Sequence, residues 1–194
     1  MKIWNFFASI LLFSVLFAAC NDDDLQPDDN ILNYDGDNVT SPVLDPGTYE
    51  LAVRFTQDEL DPIRDKKLAG VQFFMGVRPA TLKVFVSGPG SNNEPGNFLF
   101  EQDLTNIATG QGGLQLGAFN ELRIDPPLDL PDTEMWLSVE FQMDETNQNI
   151  GCDSGPADPN GDYIYDSNKG IWETFRARTN GSESVNWNIR GILE

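Results

Sequence analysis

From Pro46 onward, apolar and polar residues alternate in short runs. Tyr49, Leu51, Val53 and Phe55 share one phase, with Glu50, Ala52 and Arg54 in the other. A period of two places each set on one face of a strand. The pattern returns at Leu82, Val84 and Val86, at Met135, Leu137, Val139, Phe141 and Met143, and at Val185, Trp187, Ile189 and Gly191. Less regular strand candidates are Leu68 to Met75, Asn97 to Gln102, Asn120 to Ile124, Tyr163 to Tyr165 and Ile171 to Phe175. Turn formers separate them: Gly88-Pro89-Gly90, Pro95-Gly96, Gly110-Gln111-Gly112-Gly113, Pro126-Pro127 and Pro159-Asn160-Gly161. Thr56-Gln57-Asp58-Glu59 has the form of a capping box and predicts about one helical turn before Asp61-Pro62 ends it. Many short strands without a long 3.6-residue period predict an all-β, antiparallel β-sandwich over 46–194, with the phenylalanines between its layers.

The first residues follow a different pattern. Lys2 precedes an apolar run from Ile3 to Ala19, interrupted only by Asn5 and Ser14. A positive start, an apolar core and small residues before a cut site predict a signal peptide over 1–19. The run is too short for a comfortable membrane span. Leu16-Phe17-Ala18-Ala19-Cys20 resembles the lipobox of bacterial lipoproteins, which implies cleavage before Cys20 and acylation of its thiol and amine. Two or three acyl chains hold a protein stably on a membrane, where one does so only marginally. The expected location is therefore the outer membrane, lipid-anchored and facing the cell exterior.

Residues 20–45 carry many aspartates, and no Lys or Arg appears after Lys2 until Arg54. This composition predicts an extended acidic tether. Asp22, Asp23 and Asp24 directly after Cys20 also resemble the surface-export signal of lipoproteins in some two-membrane bacteria. A plain soluble spacer is the other reading.

Composition removes several functions. Lys+Arg 12 against Asp+Glu 31 gives a net charge of −19. Nucleic-acid binding needs phosphate neutralisation by basic residues, so no nucleic-acid partner is expected. There is no histidine, which excludes Ser-His-Asp and Cys-His triads and imidazole metal sites. With Cys20 acylated, Cys152 has no partner for a disulfide. Its acidic neighbours disfavour a thiolate, so it reads as a structural residue rather than a nucleophile.

Candidate chemistry concentrates in two places. Asp153, Asp158, Asn160, Asp162 and Asp166 lie in a Gly/Pro-punctuated loop segment of the kind that hard, oxygen-seeking Ca²⁺ uses. Asp158 to Asp162 begins like a calcium loop, but an EF-hand would need Gly at Tyr163 and Glu at Lys169. A structural Ca²⁺ and a solvated acidic turn are both consistent with this spacing, and no other cofactor is expected. Trp136 is out of phase with the Met135 to Met143 stripe, so it faces away from the main core and is a candidate ligand platform. Pairs of carboxylates that could cleave a glycoside abound, but no spacing sets any two at catalytic separation.

Several segments in order resemble the jelly-roll modules of gingipain-type adhesins. They are Tyr49 to Thr56 with Leu60, Leu68 to Phe74, Thr81 to Phe85, Glu134 to Leu137, Asp153-Ser154-Gly155-Pro156 leading to Gly161-Asp162, Gly170-Ile171-Trp172, and Asn186-Trp187-Asn188-Ile189-Arg190. The resemblance covers roughly 49–194. It implies a non-catalytic, surface-displayed β-sandwich, often calcium-stabilised, with adhesive or carbohydrate-binding roles. This chain differs in having one copy and a lipid anchor, so it lacks the avidity of a tandem array. The expected partners are the membrane, through the lipid anchor, and an extracellular glycan or protein. An accessory subunit of an outer-membrane assembly is the alternative, and a two-carboxylate hydrolase a more distant one.

Overall fold

The computed structural model describes residues 30–109 and 113–194. The leader, Cys20 and Asp22 to Asp24 lie outside the described residues. In chain order the elements are β1 (Ile31–Leu32), β2 (Val43–Leu44), β3 (Gly47–Phe55), α1 (Gln57–Leu60), a 3₁₀ turn (Asp61–Ile63), β4 (Lys67–Met75), β5 (Thr81–Ser87), β6 (Phe98–Asp103), α2 (Thr105–Thr109), β7 (Ala118–Asp129), β8 (Met135–Met143), β9 (Asn147–Gln148), β10 (Tyr163–Asp166), β11 (Ile171–Thr174), α3 (Phe175–Arg178) and β12 (Ile189–Leu193).

They form a four-stranded sheet, β1-β12-β4-β7, and a six-stranded sheet, β11-β10-β3-β8-β5-β6, with β2 and β9 as a separate pair. All the strand pairings are antiparallel. The period-two stripes of β3, β5 and β8 meet Leu68, Val71, Phe73 and Met75 of β4, together with Trp187 and Ile189, in one buried cluster. This is the predicted antiparallel sandwich. Burying such side chains stabilises by about 1.5–3 kcal/mol each.

Two segments depart from the sequence reading. Pro126-Pro127 is not a turn but part of β7, which lies at a sheet edge. Proline lacks the N–H that an inner strand must donate, and an edge strand has a side on which none is needed. The pairing skips there: Leu68 faces Leu128 and Gly70 faces Arg123, so Ile124 to Pro127 bulge from the ladder.

The second departure is larger. Residues 30–45, expected within the tether, are folded onto the sandwich. β1 pairs with β12. The Tyr34 ring stacks on Phe55 at 5.0 Å, and its hydroxyl lies 2.6 Å from the Arg54 carbonyl and 2.7 Å from the Glu59 carboxylate. Asp35 is buried against Arg190, with Nη2 to Oδ2 at 2.8 Å, and also accepts a hydrogen bond from Asn188. Cys152 and Thr40 then exchange backbone hydrogen bonds. Asp35 reads as a solvating acid because its partners lie some 150 residues away along the chain.

The capping box forms. The Glu59 carboxylate accepts from both the amide and the hydroxyl of Thr56, each at 2.7 Å. Pro62 does not stop the helix at once but sits early in the 3₁₀ turn that continues it, where its missing N–H is not required.

Candidate functional site

The strand register lays out the outer face of the six-stranded sheet, the side turned away from the core. Paired residues of neighbouring strands share a face. One row across the sheet therefore reads Trp172, Tyr165, Glu50, Glu140, Lys83 and Asp103. The next reads Thr174, Tyr163, Ala52, Ser138, Phe85 and Glu101, and a third contains Arg54, Trp136 and Ser87. Aromatic side chains thus lie toward the β11 side and charged ones toward the β6 side of the first row, on a face that the main core does not use.

The loop from Gly88 to Asn97 closes over part of this face. Arg54 of β3 donates to Asn93 at 3.2 Å, so the loop leaving β5 reaches across β8. Arg54 also holds Glu134, with Nη2 to Oε2 at 2.6 Å, and Glu134 accepts from Gly90 at 3.2 Å and from the Trp136 indole at 3.1 Å. Two glycines make the loop tight: a Cβ on Gly90 or on Gly96 would meet a backbone carbonyl oxygen at 1.9 Å. Beneath it lies a cleft of about 120 Å³ lined by Glu50, Pro95, Gly96, Phe98 and Trp172. Five strand spacings of about 4.8 Å would separate β11 from β6 on a flat sheet. Residues from both edges line one cleft, so the face curls and the loop bridges it.

Trp136 belongs to this face, as its phase predicts, but it is not a platform. It is 0% exposed, covered by Tyr163 at 4.8 Å, by Trp172 at 6.1 Å, and by the Arg54 guanidinium at 5.6 Å from its ring. The expectation of an accessible Trp136 is corrected: side chains from neighbouring strands pack over it, and Trp172 is the partly exposed indole of the pair. Phe98, 58% exposed, stacks on Phe85 at 4.7 Å on the other side of the cleft.

Glu50 occupies the cleft floor. Its carboxylate accepts from the Ser138 hydroxyl. Burial pushes its pKa up from 4.5 to about 7; the Ser138 hydrogen bond opposes the rise and the neighbouring Glu140 charge adds to it. Glu140 is itself near Lys83, at 3.9 Å, and Lys83 lies at the same distance from Glu101.

The five proposed calcium ligands do not converge. Asp153 accepts from the Asn186 amide at 2.7 Å and its side chain at 2.9 Å, and from Gly155 and Gly36. Asp158 accepts from the Asn160 amide at 2.9 Å, while the Asn160 carbonyl accepts from Arg54. Asp162 is fully buried and accepts from the Arg176 amide; burial raises its pKa, and that hydrogen bond only partly opposes the rise. Asp166 holds Arg178 at 2.8 Å; burial alone would raise its pKa, but that ion pair and the Asn168 amide bring it below the ordinary carboxylate range. Among the described residues, no three acidic or cysteine side chains are grouped to hold a metal ion. These five residues therefore do not fit a shared Ca²⁺. Asp153, Asp158 and Asp166 are engaged in turn, strap or ion-pair contacts, while Asp162 Oδ1 is buried without a hydrogen-bond partner.

Cys152 is buried in the core cluster, and burial, with Asp153 and Glu183 nearby, pushes its thiol up to about 12. It has no nucleophilic character near neutral pH.

Sequence reasoning missed Glu50, Ser138, Trp172 and Phe98 as a group. The alternation signalled the outer phase of β3 and β8, but only the register sets Glu50 beside Glu140 and Tyr165.

No family model matches the sequence, and no curated protein matches it. Among solved structures, the chain is similar to the cysteine protease and lectin-like domains of Cwp84, a surface layer associated protein of Clostridium difficile. The TM-score is 0.59 at 18% identity, over 87% of this chain and 37% of that one. A variant of clostridial cysteine protease Cwp84 after propeptide cleavage gives a TM-score of 0.56 at 15% identity, over 87% and 41%. The likeness is to the lectin-like domain, not the protease domain. This chain spans well under half the length of those proteins. At such identity the likeness shows the fold alone.

Proposed function

We propose that this protein is a non-catalytic, surface-exposed binding module that recognises an extracellular glycan through the outer face of its six-stranded sheet. The observation that carries the reading is the cleft between Trp172 and Phe98, with Glu50 at its floor and the 88–97 loop as its lip. Flat ring faces beside a few placed polar groups suit stacking against a sugar ring with hydrogen bonds at its edge. The lectin-like neighbour and the ordered motifs resembling gingipain-type adhesin modules support the same direction. In this reading Cys20 carries the lipid anchor at the outer membrane, and Asp22, Asp23 and Asp24 direct the module to the cell exterior.

A carboxylate with a raised pKa beside a second carboxylate is also what a glycosidase uses. Here Glu50 and Glu140 are cross-strand neighbours on one floor, not groups flanking a bond from two sides, and the cleft is small. Binding without chemistry is the better account. A second reading, as an accessory subunit, rests on β6. This edge strand is mostly exposed and presents Phe98 and Leu99, a surface to which a partner strand can add.

A glycan and matrix-protein array decides among these. Binding to a glycan that Trp172→Ala weakens is the expected result. A folded protein that binds no glycan would overturn the reading, and hydrolysis products lost in Glu50→Gln would convert it to an enzyme.

A further inference from the structure

We infer that the cleft takes a cationic amine, so that the glycan recognised at this face contains an amino sugar with a free ammonium group. This rests on the reading of the face as a saccharide site and goes one step beyond it. The reason is a missing counter-charge. The neighbouring cations are already engaged: Arg54 with Glu134, Lys83 between Glu101 and Glu140, and Arg178 with Asp166 and Glu173. Among the described residues, none lies within ion-pair distance of Glu50.

Glu50 is left with one neutral donor, Ser138, and a like charge beside it, Glu140. A half-buried carboxylate in that position gains most from a ligand that brings a positive charge and N–H donors together. The walls favour the same ligand, because an ammonium near the Trp172 ring is attracted by its π face. Burial keeps the carboxyl partly protonated near neutrality, and an incoming ammonium would draw it to the ionised form. The open, ring-walled cleft accepts a flat pyranose lying across its mouth better than a deep-threading alkyl chain, which separates an amino sugar from a lysine side chain.

The test is isothermal titration calorimetry on the full chain in detergent, near neutral pH and at about 0.15 M salt, so that loose attraction to a strongly acidic protein is screened. The probes are chitotriose, its fully N-acetylated form, and Nα-acetyl-lysine methylamide. Expected is chitotriose binding about tenfold tighter than the acetylated form. Glu50→Gln should remove that preference and Trp172→Ala should weaken both saccharides. The distant surface variant Asp58→Asn should change neither. Equal or tighter binding of the acetylated trisaccharide would overturn the amine inference while leaving a saccharide site in place. If neither saccharide binds and the array is also silent, the saccharide reading itself fails. Binding of the lysine probe alone, with the same dependence on Glu50 and Trp172, would overturn the inference in favour of a protein ligand. Equal weakening by Asp58→Asn would reduce the effect to net charge and overturn it as well.

Discussion

Replacing Glu50 by Gln should stabilise the protein, and only at higher pH. The isostere keeps an oxygen to accept from Ser138 and removes the half-buried charge. The folded-state pKa is raised from 4.5 to about 7 by burial, with Glu140 adding to it. Below the lower value both folded and unfolded states hold the proton. Between the two values the folded state binds more protons than the unfolded one, so stability falls as pH rises. Above the upper value the whole penalty is present. A shift of that size corresponds to at most about 3 kcal/mol, and water entering the cleft screens part of it, leaving about 1–2 kcal/mol. The groups facing Glu50 are Glu140 and Ser138 on β8 and Tyr165 on β10, with Lys83 one strand further. Their own titration is common to both proteins, whereas their interactions with the Glu50 charge, the Glu140 repulsion above all, belong to the difference being measured. Urea denaturation of both proteins between about pH 5 and pH 8.5 measures it. The difference should grow with pH and level off above about 7. A flat difference, or a variant less stable than its parent at the alkaline end, would refute the account of Glu50 as a half-buried carboxylate without a counter-charge.

Three other outcomes follow from the same geometry. Asp35→Ala leaves Arg190 and Asn188 without their buried acceptor and should cost about 3–5 kcal/mol by denaturant titration; a chain begun at residue 38 should lose at least as much, because β1 and Tyr34 go too. Trp136→Ala should destabilise by about 3–5 kcal/mol, as a fully buried indole does, whereas Trp172→Ala should leave the thermal midpoint much closer to that of the parent and act on binding. The Cys152 thiol should be silent to a thiol reagent at mildly alkaline pH in the native protein and react fully in denaturant, since burial pushes its pKa to about 12; prompt native-state reaction would contradict its placement in the core.

What the sequence disclosed is what depends on near neighbours. The Met135 to Met143 alternation is β8 residue for residue, and Thr56 with Glu59 makes its box because both partners sit within one turn. What it hid depends on residues far apart. Asp35 looks like a solvated acid until Arg190 arrives, and Pro126-Pro127 looks like a turn until the strand is known to run along an edge. Trp136 was placed on the correct side of the sheet, yet its cover by Tyr163 and Trp172 comes from strands that no local pattern pairs with β8. The candidate site was illegible for the same reason. Its parts lie on β3, β6, β8 and β11, and each is an ordinary outward residue of its own strand.

On the proposed lipid anchor, the strap that joins residues 30–45 to the sandwich would also set how far the module can stand from a membrane. A lipid on Cys20 with 26 residues of free chain would let the domain roam to roughly 90 Å, at about 3.5 Å per residue. With the chain captured from Ile31 onward, the span from Cys20 to Asn30 cannot exceed about 35 Å at full extension. If Cys20 carries the proposed lipid, the domain is held within about one of its own diameters of the bilayer. Its entry strand lies in the four-stranded layer, and the cleft opens on the other layer. A glycan met there would have to be within the cell's own surface coat or pressed against it.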